Sequence, residues 1–198
     1  MKTILSAAAA LLVASSFASA AISSFTSNVT QLFSPPVADF PALVGPFAQA
    51  WDEQQNRSGT VFADHIGPGN NTFPSPGILT GTFDSHFIHW SNVPGFQITG
   101  QVNFNNPVIA VAWGDNFLNL TDGAWGDPAT LYPTGNVGRG INPAAVVVVF
   151  GNSVNFEYHG VAGLIEIEQM RVWTLVPAPG ACSFAALGGL AALRRKRR

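Results

Sequence analysis

The amino-acid sequence predicts an all-β fold, a single-domain antiparallel β-sandwich of jelly-roll type, and three observations predict it. Residues 95–104, GFQITGQVNF, alternate: Phe96, Ile98, Val102 and Phe104 fall on one parity, with Gln97, Thr99, Gln101 and Asn103 between them. Such alternation marks a sheet with one face in water. Short apolar runs recur from Gly77 onward, separated by Gly, Asn, Asp and Pro. No helix-period segment lies between those runs, which argues for paired antiparallel sheets.

Taken in order, residues 21–76 are loop-rich, interrupted by Pro35, Pro36, Pro41, Pro46, Pro68, Pro74 and Pro76. Proline fixes φ and offers no ladder donor, so long regular elements are not expected there. A short helix is placed near residues 47–55. Residues 78–89 read as a strand or strand pair, followed by the alternating strand. Asn105, Asn106 and Pro107 then turn the chain into the apolar run 108–113, which suits a central strand, as does 145–150. After the Gly151-Asn152-Ser153 turn, residues 154–158 form a second alternating strand. The last strand, LIEIEQMRVWTLV at 164–176, alternates through Ile165 and Ile167 and changes phase at Glu168-Gln169. A one-residue phase change predicts a β-bulge.

Both ends read as addresses. Lys2, the apolar run 4–17 and Ala18-Ser19-Ala20 before Ala21 form a secretory signal with a small-residue site for signal peptidase. Ala18 and Ala20 are the processing residues, giving segments 1–20, 21–175 and 176–198. In the last segment, residues 181–193 are apolar apart from Cys182 and Ser183. As a helix they would reach ~20 Å at 1.5 Å per residue, short against a hydrocarbon core of ~30 Å. Arg194, Arg195, Lys196, Arg197 and Arg198 follow, and basic residues beside an apolar span stay on the cytoplasmic side. The segment is expected to anchor the chain transiently in the inner membrane with the domain outside.

Val176, Pro177 and Pro179, the short apolar helix and the terminal basic cluster closely resemble the PEP-CTERM sorting tail of exported bacterial proteins. Ala178 stands where that family usually has Glu. The resemblance implies recognition by an exosortase, cleavage near the Pro motif and transfer to the cell surface or extracellular matrix. A lipid-anchor signal is the nearest rival, but such tails do not usually end in a basic cluster. The stretches SHFIHW, QVNFNNPVIAVAW, RGINPAAVVVVF and EQMRVWTLV are similar to exported domains that carry this tail. That similarity implies a fold and a location, without catalytic residues.

Between the two ends stand Arg57, Arg139 and Arg171, no Lys, and all eleven acids of the chain, a net charge of minus eight. Phosphate surfaces would be repelled, so no nucleic-acid partner is expected. The one cysteine, Cys182, lies in the tail, and a domain of this length does not require a disulfide.

Residues 113–127, WGDNFLNLTDGAWGD, read as a Gly-rich acidic loop. Asp115, Asp122 and Asp127 are candidate Ca²⁺ ligands, because hard oxygen donors on an irregular loop suit that ion. Their spacing matches no EF-hand, and Asp and Gly are also ordinary turn residues. Trp125 is a candidate exposed ring for stacking on a sugar, with Asn116 and Asp122 as polar neighbours; the alternative is a ring covering a sheet edge. Glu166 and Glu168 share a strand face ~6.6 Å apart along the backbone. The pair resembles that of sandwich-fold glycosidases, but the further acid such enzymes carry two or three residues later is replaced by Met170 and Arg171. A solvated face with Arg171 as counter-charge is therefore the reading, and a polysaccharide hydrolase the lesser alternative. His86 and His89 fall on opposite faces of a strand, which opposes a shared metal. The sequence thus points to an exported, non-catalytic surface or polysaccharide-matrix protein, with a Ca²⁺-assisted carbohydrate-binding module as alternative.

Overall fold

Alternation in two strands builds the first sheet. In the computed structural model, which describes residues 21–33, 37–39, 43–91, 95–135, 138–160 and 167–176, strand β8 (Gln97–Phe104) pairs antiparallel with β11 (Ser153–His159) in unbroken register from Ser153↔Asn103 to His159↔Gln97. Ile98, Val102 and Phe104 of β8 point inward with Val154, Phe156 and Tyr158 of β11. The inward position between them is Gly100, where a Cβ would fall 2.3 Å from the Phe156 ring, so the glycine makes room for that ring. Phe96 keeps the predicted parity but precedes the strand and is exposed. β1 (Ile22–Phe25), β10 (Val146–Phe150) and β6 (Gly69–Asn70) complete the sheet in the order β1-β8-β11-β10-β6.

A second sheet runs β2-β3-β7-β12-β9-β5, with β4 also paired to β7. Its strands are β2 (Val29–Gln31), β3 (Ala48–Asp52), β4 (Arg57–Ala63), β5 (His65–Ile66), β7 (Gly77–Ser91), β9 (Val108–Ala112) and β12 (Ile167–Leu175). Among the described residues the early segment therefore carries six short strands between its loops, and the helix expected near residues 47–55 is β3 instead. There Ala48 and Ala50 point into the core between the sheets while Trp51 points the other way, a strand period that alanines concealed.

The second sheet is buried on both faces. One face meets the first sheet through Ile88, Trp90, Met170 and Val172; the other meets helix α1 (Asp115–Trp125) through Phe87 and Trp173. This third layer explains why β12 lost its alternation. The strand pairs with β7 without a break from Ile167↔Ser91 to Leu175↔Phe83, so no bulge lies at Glu168-Gln169 against β7. Both parities are simply buried. The register shift in β12 falls at Trp173/Thr174, against β9.

Helix α1 replaces the loop expected over 113–127. Leu118, Thr121, Asp122 and Trp125 are its buried residues, spaced as one helical face. Two of those four are polar, so the apolar period that signals a helix was absent. The residues 1–20 and 177–198, with their processing and sorting positions, and Glu166 lie outside the described residues. Among those described, no helix is long and apolar enough to cross a membrane.

Candidate functional site

Ionisable side chains collect where α1 faces the second sheet. Arg171, in the middle of β12, is fully buried and directs its guanidinium toward the helix. Its Nε and Nη2 donate to the two carboxylate oxygens of Glu53 at 2.7 and 2.9 Å, and Nη1 donates to Thr121 Oγ1 at 2.7 Å. Nη2 also reaches Asp122 Oδ1 at 3.1 Å. The cation lies 5.0 Å from the Phe87 ring centre and 5.2 Å from that of Tyr132. A planar fork serves both roles, which a lysine cannot.

Arg139 approaches the same acid from the far side. Its Nη1 and Nη2 donate to Asp122 at 2.5 and 3.2 Å, its Nη1 to Asn119 Oδ1 at 2.8 Å, and its Nε to Gln169 Oε1 at 2.8 Å. Thr134 Oγ1 donates to Asp122 Oδ2 at 2.6 Å, and the Tyr132 hydroxyl donates to Glu53. Two buried cations thus face two buried acids. Burial, the largest single cause, would lower the pKa of Arg171, but the charge and hydrogen bonds of Glu53 together with Asp122 and Tyr132 raise it overall. Burial, then the charge of Glu53, pushes the Tyr132 hydroxyl far above its ordinary range.

The network ends on a histidine. Because Gln169 Oε1 accepts from Arg139, its Nε2 is the donor, given to Ala38 O at 2.7 Å and to His89 Nδ1 at 2.9 Å. His89 therefore accepts at Nδ1 and carries its proton on Nε2. Burial, reinforced by Arg139, holds its pKa down at about 3.

The candidate sugar and Ca²⁺ residues are placed differently from expectation. Trp125 is 1% exposed: its ring packs edge-on to Trp173 and against Gly59, and its Nε1 donates to Thr60 O at 2.9 Å. It is not a stacking platform, because α1 turns it into the sheet. Asn116 is exposed on the first turn of α1. Asp122 is buried in the arginine network. Asp115 accepts the backbone N–H groups of Gly138 and Gly140, both at 2.7 Å, and Asp127 accepts that of Ala129 at 2.8 Å. Among the described residues no group of three or more His, Cys, Asp or Glu converges as a metal site. Asp115→Ala removes two loop anchors and is expected to cost about 1–2 kcal/mol, read as a lower urea midpoint; no change would mean that the loop does not depend on them.

Glu168 is likewise no solvated acid. It is buried on the face toward the first sheet and accepts the His159 N–H at 3.0 Å, while Arg171 points to the opposite face and pairs with Glu53. His86 and His89 do occupy opposite faces: His86 bonds Asp52 and Thr174, and His89 bonds Gln169. Asp64 holds the loop before α1 through the N–H groups of Trp113 and Gly114, both at 2.7 Å; burial raises its pKa despite these donors.

Beside the network opens a groove of about 730 Å³, lined by Gln54, Arg57, Asp127, Thr130, Tyr132 and Thr134 among others. Arg57 is exposed at its rim. The region is a two-sheet β protein with a helical third layer locked by buried ion pairs and a groove of mixed polar and apolar lining at its margin. Compared with known protein families, with characterised proteins and with solved structures, the chain shows no match.

Proposed function

We propose that the chain is an exported, non-catalytic component of the cell surface or extracellular polysaccharide matrix, with a jelly-roll-like domain delivered by its sorting tail. One observation carries the reading: the Val176-Pro177-Ala178-Pro179 motif, the apolar segment 181–193 and the basic cluster 194–198 follow directly on β12, which ends at Leu175. An exosortase-type enzyme would cut near the prolines after signal peptidase has acted beyond Ala20. The packing of the acids supports a structural role, since Glu53 and Asp122 are engaged by arginines on both carboxylate oxygens. The test is mass spectrometry of the chain expressed in an exporting host with and without an exosortase. The expected product starts at Ala21 and loses the basic cluster only when the enzyme is present. An uncut, soluble chain of residues 1–198 in the cytosol would overturn the reading.

The groove supports a second reading, that of a polysaccharide-binding module. Arg57, Gln54, Thr130 and Thr134 line a space of about 730 Å³, enough for a sugar unit held by hydrogen bonds. A glycan array, run with and without a chelator, distinguishes the two readings. Specific hits that vanish in Arg57→Ala favour the module; an array without hits removes it. Loss of those hits with chelator alone would assign a role to Ca²⁺.

A further inference from the structure

At the edge where β1 meets β3 lies a cavity of about 340 Å³ lined by Ala21, Ile22, Gln31, Trp51, Asp52 and Asp127, among others. Asp52 is its most connected acid. Its Oδ1 accepts the Ile22 N–H at 3.2 Å and bonds His86 Nδ1 at 2.6 Å. His86 is fully buried and its Nε2 bonds Thr174 Oγ1 at 3.1 Å. A ring nitrogen paired with a carboxylate oxygen and a ring nitrogen paired with a threonine hydroxyl use both polar atoms of His86. Asp52 Oδ2 and Asp127 Oδ2 make no hydrogen bond among the described residues. Arg139 and Arg171 are held in the buried network, and Arg57 lines the neighbouring groove, to which Asp127 also contributes. Two acids therefore line one cavity, with Asp52 only 29% exposed, and among the described residues no arginine or lysine lines it.

The residue that begins the fold also lines this cavity. Ala21 is fixed by its carbonyl, which accepts the Asn105 N–H at 3.1 Å. With Ile22 N already on Asp52, standard backbone dimensions hold Ala21 N within about 7 Å of that carboxylate. While residue 20 is attached, Ala21 N is a neutral amide. Cleavage at the Ala18-Ser19-Ala20 site turns it into a primary ammonium.

We propose that this cavity is a binding site for the chain's own new N-terminus: cleavage after Ala20 places the Ala21 ammonium between Asp52 and Asp127, which fastens β1 to the sandwich. The inference rests on the export reading for the position of the cut. Its physical logic is independent of it, because an ammonium gains where a partly buried carboxylate lacks a cation. Maturation would then add the missing charge and tighten the first sheet only after the leader is gone. The groups facing that ammonium are Asp52, Asp127 and, behind Asp52, His86.

The test compares residues 21–198, released in detergent from a removable fusion so that Ala21 is free, with the same chain acetylated at Ala21. At pH 6.5 the free form is expected to melt about 2–5 °C higher. The difference should disappear in Asp52→Asn. Because that variant also disturbs His86, the Ala21 amine is in addition titrated by isotopic labelling in the unsubstituted chain, where its pKa is expected above the usual ~7.7–8.0. A raised folded pKa gives stability that is complete below the unfolded pKa and lost as pH rises through the folded one, so the two forms should converge at high pH. Equal melting of free and acetylated chains, or an amine titrating at its ordinary value, would overturn the proposal. N-terminal sequencing of the exported protein reports separately on the export reading: a start other than Ala21 refutes the cut and leaves the in vitro comparison to judge the site.

Discussion

Arg171→Ala is expected to destabilise the domain by about 3–5 kcal/mol, the cost of removing one partner from a buried ion pair. A domain of this kind has a total stability of ~5–15 kcal/mol, so the variant should show a much lower urea midpoint and expose apolar surface at physiological temperature. The reason lies in what stays behind. Glu53, whose side chain is fully buried, would keep only the Tyr132 hydroxyl as a donor among the network side chains, and Thr121 would lose its arginine. Asp122 would still hold Arg139. Arg139→Ala should therefore cost less, since Asp122 then retains Arg171 and Glu53 is untouched. Arg171→Lys should recover little, because an ammonium lacks the planar fork that reaches both oxygens of Glu53 while donating to Thr121 and Asp122. Exchanging Arg171 and Glu53 together for Met and Leu tests the origin of the effect: most of the loss should be regained, since the cost belongs to the orphaned charge. A loss below about 1 kcal/mol for Arg171→Ala would mean that water reaches the site and screens it as at a surface.

How legible this molecule is in its sequence follows from which faces are wet. β8 and β11 bury one side each, so their period of two stands in the sequence, and the turn residues around them mark their ends. β12 buries Met170 and Val172 on one side and Gln169, Arg171 and Trp173 on the other. A strand without a wet face has no alternation to read, and its two polar inward residues imitated a phase change. Helix α1 was hidden for a related reason: Thr121 and Asp122 occupy its buried face because they answer Arg171 and Arg139, which lie 50 and 17 residues away along the chain. The pairing of Glu53 with Arg171 spans 118 residues and has no local sign at all. One signal was present. In a region with three arginines and no lysine, Arg171 stands in the apolar strand Met170-Arg171-Val172-Trp173, where a lone cation requires a buried partner. Trp125 was misplaced because its neighbours Gly123, Gly126 and Asp127 suggest an exposed turn, whereas the helix ending at Trp125 carries the ring inward.

Stability is expected to fall steadily as pH drops from about 6.5 toward 3, and His89 supplies the steepest single contribution. Its ring is fully buried, accepts a hydrogen bond at Nδ1 from Gln169, and sits near Arg139 through that same side chain. Protonation would set an N–H against the Gln169 donor and add a cation beside another cation, so the folded state keeps the ring neutral and the pKa falls to about 3. The unfolded chain takes up the proton near pH 6.5. Between those two values the unfolded state binds more protons than the folded one, so the free energy of unfolding rises with pH there and is flat for this group above it. Each pH unit of the window is worth about 1.4 kcal/mol, which for this one ring sums to an order of 4–5 kcal/mol by pH 3. The window between pH 6.5 and 5 lies above the ordinary carboxylate range and so isolates histidine best. Urea midpoints of the wild-type chain and of His89→Asn, which keeps an acceptor toward Gln169, provide the comparison. The variant starts from lower stability because it fills the site less well, but its pH profile should be flatter by about half a proton at pH 6.5, rising to nearly one at pH 5. Parallel profiles for the two chains would mean that His89 titrates alike in the folded and unfolded states, and that the Gln169 amide does not dictate its proton.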